Sequence, residues 1–200
     1  MSLNKNFLSL DKFIHQALYS PKTGFYMKKN PFGDKGDFIT SPLISILFSE
    51  MLSVWTVAFW QNLKCPKNIN LIELGAGNGQ MMYDMINSFK SFPEFNKSCK
   101  FYIFETSPHL KKIQKEKLKR FNVIWIKNLN EIKKNYNIFI ANEFFDALPI
   151  KQFFKINKKW MERFVVLEKN NKKKFINFIS DIKKVEKKIG FKISKNQKII

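Results

Sequence analysis

The chain has 200 residues, of which 44% are hydrophobic, so it can bury a sizeable core and is neither disordered nor collagen-like. Its 36 basic and 16 acidic residues give a formal charge of +20, but only Arg120 and Arg163 are arginines, which argues against a nucleic-acid partner. Cys65, Cys99 and two isolated histidines offer neither a disulfide framework nor a metal site. We therefore predict a globular protein of a reducing compartment with no bound metal.

The first predicted elements are a helix and a loop. Apolar residues at three- and four-residue intervals predict a helix over 9–19, with Ser9 as its cap. Several prolines and glycines predict a loop from Tyr19 to Thr40. Loops of this length in a compact domain tend to be lids or binding segments.

An apolar helix is predicted next, from Leu43 to Trp60, with Ser41 and Pro42 as its cap and first residue. Glu50 near the middle of this segment makes a membrane span costly and favours a buried helix. The amino-terminal residues show neither a signal-peptide nor a transit pattern. This predicts a cytoplasmic protein without a transmembrane segment.

Short apolar runs alternate with helical patterns through the middle of the chain. The runs are rich in β-branched and aromatic residues, as expected for strands buried on both faces. Strands that alternate with helices form right-handed βαβ units in a parallel sheet. We therefore predict an α/β fold with a Rossmann-like sheet. The runs cover 69–74, 100–105, 122–127 and 137–142, and the helical patterns cover 80–90 and 108–120.

The alternation stops after Pro149. Strand-like runs at 152–156, 160–167 and 174–179 predict an antiparallel β extension, followed by a Lys-rich helix near 181–189. We predict one structural domain in three parts. They are an amino-terminal helical and loop extension over 1–66, a Rossmann-like core over 67–150, and the β extension with its Lys-rich tail over 151–200.

The first strand of the predicted sheet ends in a glycine-rich turn, residues 75–79, where a ligand can approach the backbone. The dinucleotide fingerprint fails because Gln80 stands where that pattern has glycine, and the P-loop fails because its Lys is absent. With Glu73 before it, the turn is similar to the E-x-G-x-G-x-G signature of class I S-adenosylmethionine-dependent methyltransferases. That signature implies cofactor contacts by Glu73, Gly75, Ala76, Gly77 and Gly79.

An acidic residue follows the second strand, where such a cofactor would present its ribose. Glu105 ends an otherwise apolar run, and glutamate is depleted in strands. We interpret Glu105 as the acceptor for both ribose hydroxyls rather than as a surface strand end. Adenine would then have Thr106 and Asn128 as neighbours, while Trp125 is either a further neighbour or a core residue.

The fourth strand runs into Asn142-Glu143-Phe144-Phe145-Asp146. Two carboxylates and an amide at the carboxyl edge of a sheet are more than a simple turn requires, which suggests a functional site. In the alternative interpretation Asp146 caps a turn and the two phenylalanines pack into the core. We predict Glu143 as the first catalytic candidate, Asp146 as the second and Asn142 as an orienting amide.

Five segments, taken in order, resemble the MidA family of class I S-adenosylmethionine-dependent methyltransferases. The family includes the mitochondrial protein-arginine methyltransferase that assists the assembly of respiratory complex I. The resemblance covers about residues 7–167, and GDFITSP and NEFFDALP are its most specific motifs. The segments are ALYSPKTGFY at 17–26, PFGDKGDFITSPLIS at 31–45, LIELGAGNGQMMYD at 71–84, FETSPHLKKIQ at 104–114 and IANEFFDALPIKQF at 140–153.

The resemblance implies an enzyme that binds S-adenosylmethionine and dimethylates a protein arginine, with a complex I subunit as its candidate partner. It matches Glu105 to the ribose ligand, and it matches the loop from Asp37 to Pro42, with Thr40 and Ser41, to a segment that covers the cofactor. Glu143 would hold the substrate guanidinium. One alternative is a non-catalytic assembly factor that binds a complex I subunit, and another is a nucleic-acid methyltransferase that uses the Lys-rich tail.

Length is the main departure from this family, whose members continue through further strands. Four parallel strands are fewer than the seven of that fold, which predicts a truncated chain or a shortened form without activity. An open sheet edge exposes unpaired backbone groups and favours association. We therefore expect a chain that is marginal in stability or homo-oligomeric.

Overall fold

The computed structural model describes residues 7–28, 41–167, 172–190 and 192–193. The chain divides into a larger compact unit, residues 19–147, and a smaller one formed by Met1–Leu18 and Leu148–Ile200. The three-part division at residues 66 and 150 stays a prediction. In chain order the elements are β1 (Phe7–Ser9), α1 (Leu10–Tyr19), α2 (Phe25–Lys28), α3 (Ser41–Ile44), α4 (Ile46–Asn62), β2 (Ile69–Leu74), α5 (Gln80–Phe89), α6 (Pro93–Ser98), β3 (Cys99–Phe104), α7 (Pro108–Lys117), β4 (Val123–Ile126), β5 (Tyr136–Ile140), β6 (Phe153–Ile156), β7 (Lys159–Leu167), β8 (Lys173–Ile179) and α8 (Ile182–Ile189).

A four-stranded parallel sheet lies at the centre of the larger unit, with strand order β4-β3-β2-β5. Ile69 of β2 pairs in register with Cys99 of β3 and with Tyr136 of β5. Every residue of β2 is buried, as expected of a central parallel strand covered on both faces. The predicted Rossmann-like sheet is confirmed: β2 has the predicted bounds, and the ends of the other three strands are shifted by one or two residues.

The helices that follow β2 and β3 confirm the predicted alternation. Helix α5 packs Met82, Met85 and Phe89, all almost fully buried, into the main hydrophobic core. Helix α7 begins as predicted, with the Ser107 hydroxyl accepting a hydrogen bond from the Leu110 N–H at 3.3 Å. The short helix α6, which has a proline at its start, was not predicted.

The apolar helix begins later than predicted. Ser41 and Pro42 open the separate short helix α3, and Ser45 caps α4 by accepting a hydrogen bond from the Leu47 N–H at 3.2 Å. The prediction of a buried helix is only partly correct, because Met51 is 61% and Trp55 54% exposed. Within the described part of the chain, no helix is both long and apolar enough to cross a membrane.

The smaller unit contains an antiparallel sheet built around β7. Strand β8 pairs with one edge of β7, while β6 and β1 pair with successive parts of the strand. The three strands and the helix predicted for this part of the sequence are confirmed. Strand β1 was not predicted: Ser9, expected to cap a helix, is the last residue of this strand and pairs with Phe164 directly before α1 begins.

Candidate active site

The glycine-rich turn joins β2 to α5 and continues the sheet by one hydrogen bond, from the Gly75 N–H to the Phe104 carbonyl at 3.0 Å. Gly75 has φ +69°, in the left-handed region that favours glycine. A Cβ at this position would lie 2.7 Å from Cδ2 of Phe144. The close approach predicted for a ligand is thus made here by an aromatic side chain of the chain itself.

Two cavities open at the carboxyl edge of the parallel sheet, with volumes of about 670 and 480 Å³ including space open to solvent. The first cavity is lined by Glu73 and the second by Glu105. The cavities therefore adjoin along the glycine turn, because four residues line both of them: Tyr26, Gly75, Gly77 and Glu143.

Glu73 brings a buried carboxyl group to the first cavity. Its side chain is 3% exposed, and Oε2 has no hydrogen-bond partner among the described residues. Burial and, to a smaller extent, the charge of Glu105 raise the pKa of Glu73 to about 8, although a hydrogen bond from the Met82 backbone acts in the opposite direction. A buried acceptor without a partner is costly, so this atom is suited to receive a donor from a ligand.

Glu105 follows β3 and is 7% exposed. Its Oε1 accepts a hydrogen bond from the Ser107 N–H at 2.8 Å, and its Oε2 accepts one from Nε2 of Gln114 at 2.9 Å. Burial raises the pKa of Glu105, while these hydrogen bonds and the charge of Lys111 oppose the shift. The carboxylate keeps further lone pairs for a ligand in the second cavity, which Thr106 also lines.

The three predicted catalytic residues come together at the first cavity. Asn142, Glu143 and Asp146 all line it, and the two carboxylates are exposed. Glu143 has φ +49°, a left-handed conformation that costs a residue with a Cβ roughly 1–2 kcal/mol. Such backbone strain is often found at functional sites. In this conformation Glu143 lies where both cavities meet.

Two tyrosines complete the site and were not predicted as part of it. Tyr26 lines both cavities, and burial, followed by the charges of Asp146 and Glu143, raises its pKa. The Tyr19 hydroxyl donates to the Ala147 carbonyl at 2.9 Å, and burial is the main cause that raises its pKa to about 12. Both residues belong to the segment that resembled the MidA family, which was the one signal for them in the sequence.

Some predicted residues lie elsewhere. Ser41 lines neither cavity, although its neighbours Pro42 and Leu43 line the first one. Thr40 and residues 37–39 lie outside the described part of the chain. Among the predicted glycine-turn contacts, Ala76 lines the first cavity, while Gly79 is buried with Gln114 beside it.

The two further residues expected near adenine make other contacts. Trp125 donates its indole N–H to Oε1 of Gln114 at 3.0 Å, and Asn128 caps the short helical turn over Leu129–Glu131.

No group of three or more histidine, cysteine, aspartate or glutamate side chains suited to a metal ion occurs within the described ranges.

Comparisons of the sequence identify related proteins. Residues 51–198 match the model of a family described as "Putative S-adenosyl-L-methionine-dependent methyltransferase". The chain is 31% identical to the protein arginine methyltransferase NDUFAF7, mitochondrial, of Xenopus laevis, in an alignment that covers 80% of this chain and 42% of the relative. The human protein of the same name gives the same identity and coverage. The chain thus spans about two fifths of the length of these relatives.

Solved structures show the same fold. A Burkholderia thailandensis protein bound to S-adenosyl-homocysteine matches with a TM-score of 0.74 and 23% identity, over 92% of this chain and 49% of that protein. A second structure from Burkholderia thailandensis, in its native form, gives a TM-score of 0.70 at 23% identity, over 92% and 47%. The predicted α/β architecture is thereby confirmed.

Proposed function

This chain belongs to the MidA-like family of S-adenosyl-L-methionine-dependent methyltransferases, and from that premise we propose that it methylates an arginine side chain of a protein. The observation that carries the proposal is the pair of adjoining cavities along the glycine turn. One is lined by the buried carboxyl group of Glu73, whose Oε2 has no hydrogen-bond partner among the described residues, and the other by the oriented carboxylate of Glu105. Glu143 lies at their junction.

The residues present fit S-adenosylmethionine. Glu73 Oε2 would accept a hydrogen bond from the ammonium group of the methionine part, which would satisfy that buried atom. Glu105 would accept from the ribose hydroxyls, and Phe104 and Leu110, which line the same cavity, would contact the adenine. When bound, the cofactor supplies a methyl group on a positively charged sulfur.

Glu143 is the proposed contact for the substrate guanidinium. Arginine keeps its charge in water because its pKa lies above about 12. A carboxylate that contacts two guanidinium nitrogens draws the positive charge toward them and leaves electron density on the third nitrogen. The same contact fixes the orientation of the reacting nitrogen, which lowers the entropic part of the barrier. Asp146 would assist from the same cavity, and Asn142 would orient the guanidinium.

The proposed substrate is a protein, in keeping with the name of the arginine methyltransferase relatives. We propose a subunit of respiratory complex I as the partner because the motifs of this chain resemble a family with a member that assists the assembly of that complex. A cytoplasmic location and a homo-oligomeric state stay predictions. Because the chain spans only 42% of those relatives, its activity is also part of the proposal.

Isothermal titration with S-adenosylhomocysteine tests the cofactor site. We expect the chain to bind this ligand, and we expect Glu105→Ala and Gly77→Val each to weaken binding at least about tenfold, the effect of losing a charged hydrogen bond or adding a branched side chain at the turn. Glu94→Gln, an exposed change on α6, is the matched control and should leave the affinity unchanged. Unchanged affinity in both site variants would contradict the assignment.

Mass spectrometry of complex I arginines, with and without this chain, tests the reaction. Dimethylation that depends on the chain and on S-adenosylmethionine supports the proposal. Binding to a complex I subunit without any methyl transfer would instead support a non-catalytic assembly factor. Binding to DNA or RNA that weakens steeply with salt would favour the nucleic-acid methyltransferase.

A further inference from the structure

Gln114 is a completely buried polar side chain that lies between the glycine turn and Glu105. It belongs to α7, and its exposed fraction is 0%. Its Nε2 donates to the Gly77 carbonyl and to Oε2 of Glu105, both at 2.9 Å. One amide group thus joins the glycine turn to the proposed ribose acceptor.

Trp125 fixes the orientation of this amide. The indole N–H can only donate a hydrogen bond, and it lies 3.0 Å from Oε1 of Gln114. The oxygen must therefore face Trp125, and the NH₂ group must face Gly77 and Glu105, which both offer acceptors. Since all these groups are polar and largely removed from water, a flipped amide would leave donors and acceptors unpaired.

The backbone around Gln114 is fitted to this arrangement. A Cβ at Gly79 would lie 3.4 Å from Cγ of Gln114, a tight contact, and Gly79 also has φ +82°. On the other side of the carboxylate, the Ser107 N–H holds Oε1 of Glu105 at 2.8 Å. Glu105 is therefore held from two sides, by the start of α7 and by a side chain further along the same helix.

We propose that Gln114 is a positioning residue, which holds the Glu105 carboxylate in the orientation that recognises the ribose hydroxyls and fixes that carboxylate relative to the Gly77 turn. The inference rests on the proposed S-adenosylmethionine site. Gln114 acts through Glu105 and the turn, and it lines neither cavity among the described residues. Its removal should therefore weaken the recognition of the ribose hydroxyls in particular.

Two variants separate this role from a general contribution to folding. Gln114→Met has a similar volume and removes both donors and the acceptor. Trp125→Phe keeps Gln114 but removes the indole N–H that orients it, at a half-buried site where folding is at less risk. Gln61→Met makes the same chemical change at an exposed position on α4 and serves as the control. Thermal melts of each variant verify that the chain is folded.

The readout is affinity for two ligands, S-adenosylhomocysteine and its analogue without the 2′ and 3′ ribose hydroxyls. We expect Gln114→Met to weaken binding of the first at least about tenfold, and Trp125→Phe to weaken it by a smaller factor, because hydrogen bonds to a charged group are lost or misdirected. Neither variant should change the affinity for the dideoxy analogue by more than about twofold, since that ligand cannot use the Glu105 contact.

Equal losses for both ligands would overturn the inference, because they indicate a general structural role. So would an unchanged preference for the hydroxylated ligand in both variants. If the natural chain prefers the hydroxylated ligand and Glu105→Ala abolishes that preference, the cofactor site stands even where Gln114 has no effect. If the natural chain binds neither ligand, the proposed function fails together with the inference.

Discussion

Glu73 and Glu105, at the carboxyl ends of the neighbouring strands β2 and β3, form an interacting pair of buried carboxyl groups. Their exposed fractions are 3% and 7%, and the charge of Glu105 adds to burial in raising the pKa of Glu73 to about 8. Two buried acids that influence each other are costly for folding, and they suit a ligand that brings a cation to one and hydroxyl groups to the other.

Glu73→Gln should stabilise the protein in a pH-dependent way. The pKa of Glu73 is raised from 4.5 in the unfolded chain to about 8 in the folded chain. Between these two pH values the folded chain therefore keeps a proton on Glu73 that the unfolded chain loses. The contribution of Glu73 to the free energy of unfolding therefore falls as pH rises from 4.5 to 8. We expect the variant to gain about 2–4 kcal/mol over the natural chain at pH 8 and almost nothing near pH 4.

Urea denaturation of both proteins at pH 4, 6 and 8 measures this difference. Titrating groups that do not interact with Glu73 contribute equally to the two chains and cancel. A constant difference across the three pH values would show that Glu73 titrates normally in the folded state.

Glu143→Gln should leave cofactor binding intact and lower turnover at least about a hundredfold, because it deletes the charge while keeping the shape. Methyl transfer and S-adenosylhomocysteine affinity are measured together for this variant and for Asp146→Asn. The exposed Glu94 on α6 provides the control, Glu94→Gln, which should behave as the natural chain.

If Glu143→Gln is fully active while Asp146→Asn is inactive, Asp146 rather than Glu143 holds the guanidinium. If neither change affects turnover, the proposed contact with the guanidinium is wrong. A loss of cofactor affinity equal to the loss of turnover would assign Glu143 to cofactor binding instead.

Gly75→Ala should destabilise the chain by about 1–3 kcal/mol, since it combines a left-handed backbone with a contact of 2.7 Å to Phe144. Gly190→Ala is the matched control, because Gly190 has φ +79° and no atom of the described residues lies within 4 Å of the added Cβ. The control should incur only the backbone cost of roughly 1–2 kcal/mol. Adding Phe144→Leu to Gly75→Ala should recover the steric part of the loss, and chemical denaturation measures all three.

Phe139→Lys should reduce self-association of the chain. Phe139 is 49% exposed on β5, which pairs only with β2 among the described strands. A lysine on an edge strand opposes edge-to-edge pairing, and an exposed site should tolerate the change with little loss of stability. Sedimentation velocity over a range of concentrations provides the measurement. Asn68 is exposed and lines a surface cavity together with Tyr136 and Asn137 of β5, so Asn68→Lys adds the same charge to this region without removing an apolar group. An equal effect of both variants would assign the change to net charge alone.

The sequence alone determined the parallel sheet and the position of the candidate site. Continuous apolar runs identify buried strands, and their alternation with helices requires a parallel sheet whose carboxyl ends share one edge. Residues that follow those strands, such as Glu105 and Glu143, could therefore be assigned to one site before any coordinates were known. The sheet prediction succeeds because it depends on short-range periodicity and chain direction.

Only the tertiary structure decided what those residues contact. Gln114 donates a hydrogen bond to the Gly77 carbonyl, which lies 37 residues away in the sequence. The Ser107 hydroxyl donates one to the Tyr26 carbonyl, 81 residues away in the sequence. The Phe144 ring over Gly75 and the raised pKa of Glu73 likewise depend on packing between separate elements. Local patterns cannot specify such contacts, because the burial and partners of a side chain are set by residues that are distant along the chain and adjacent only after folding.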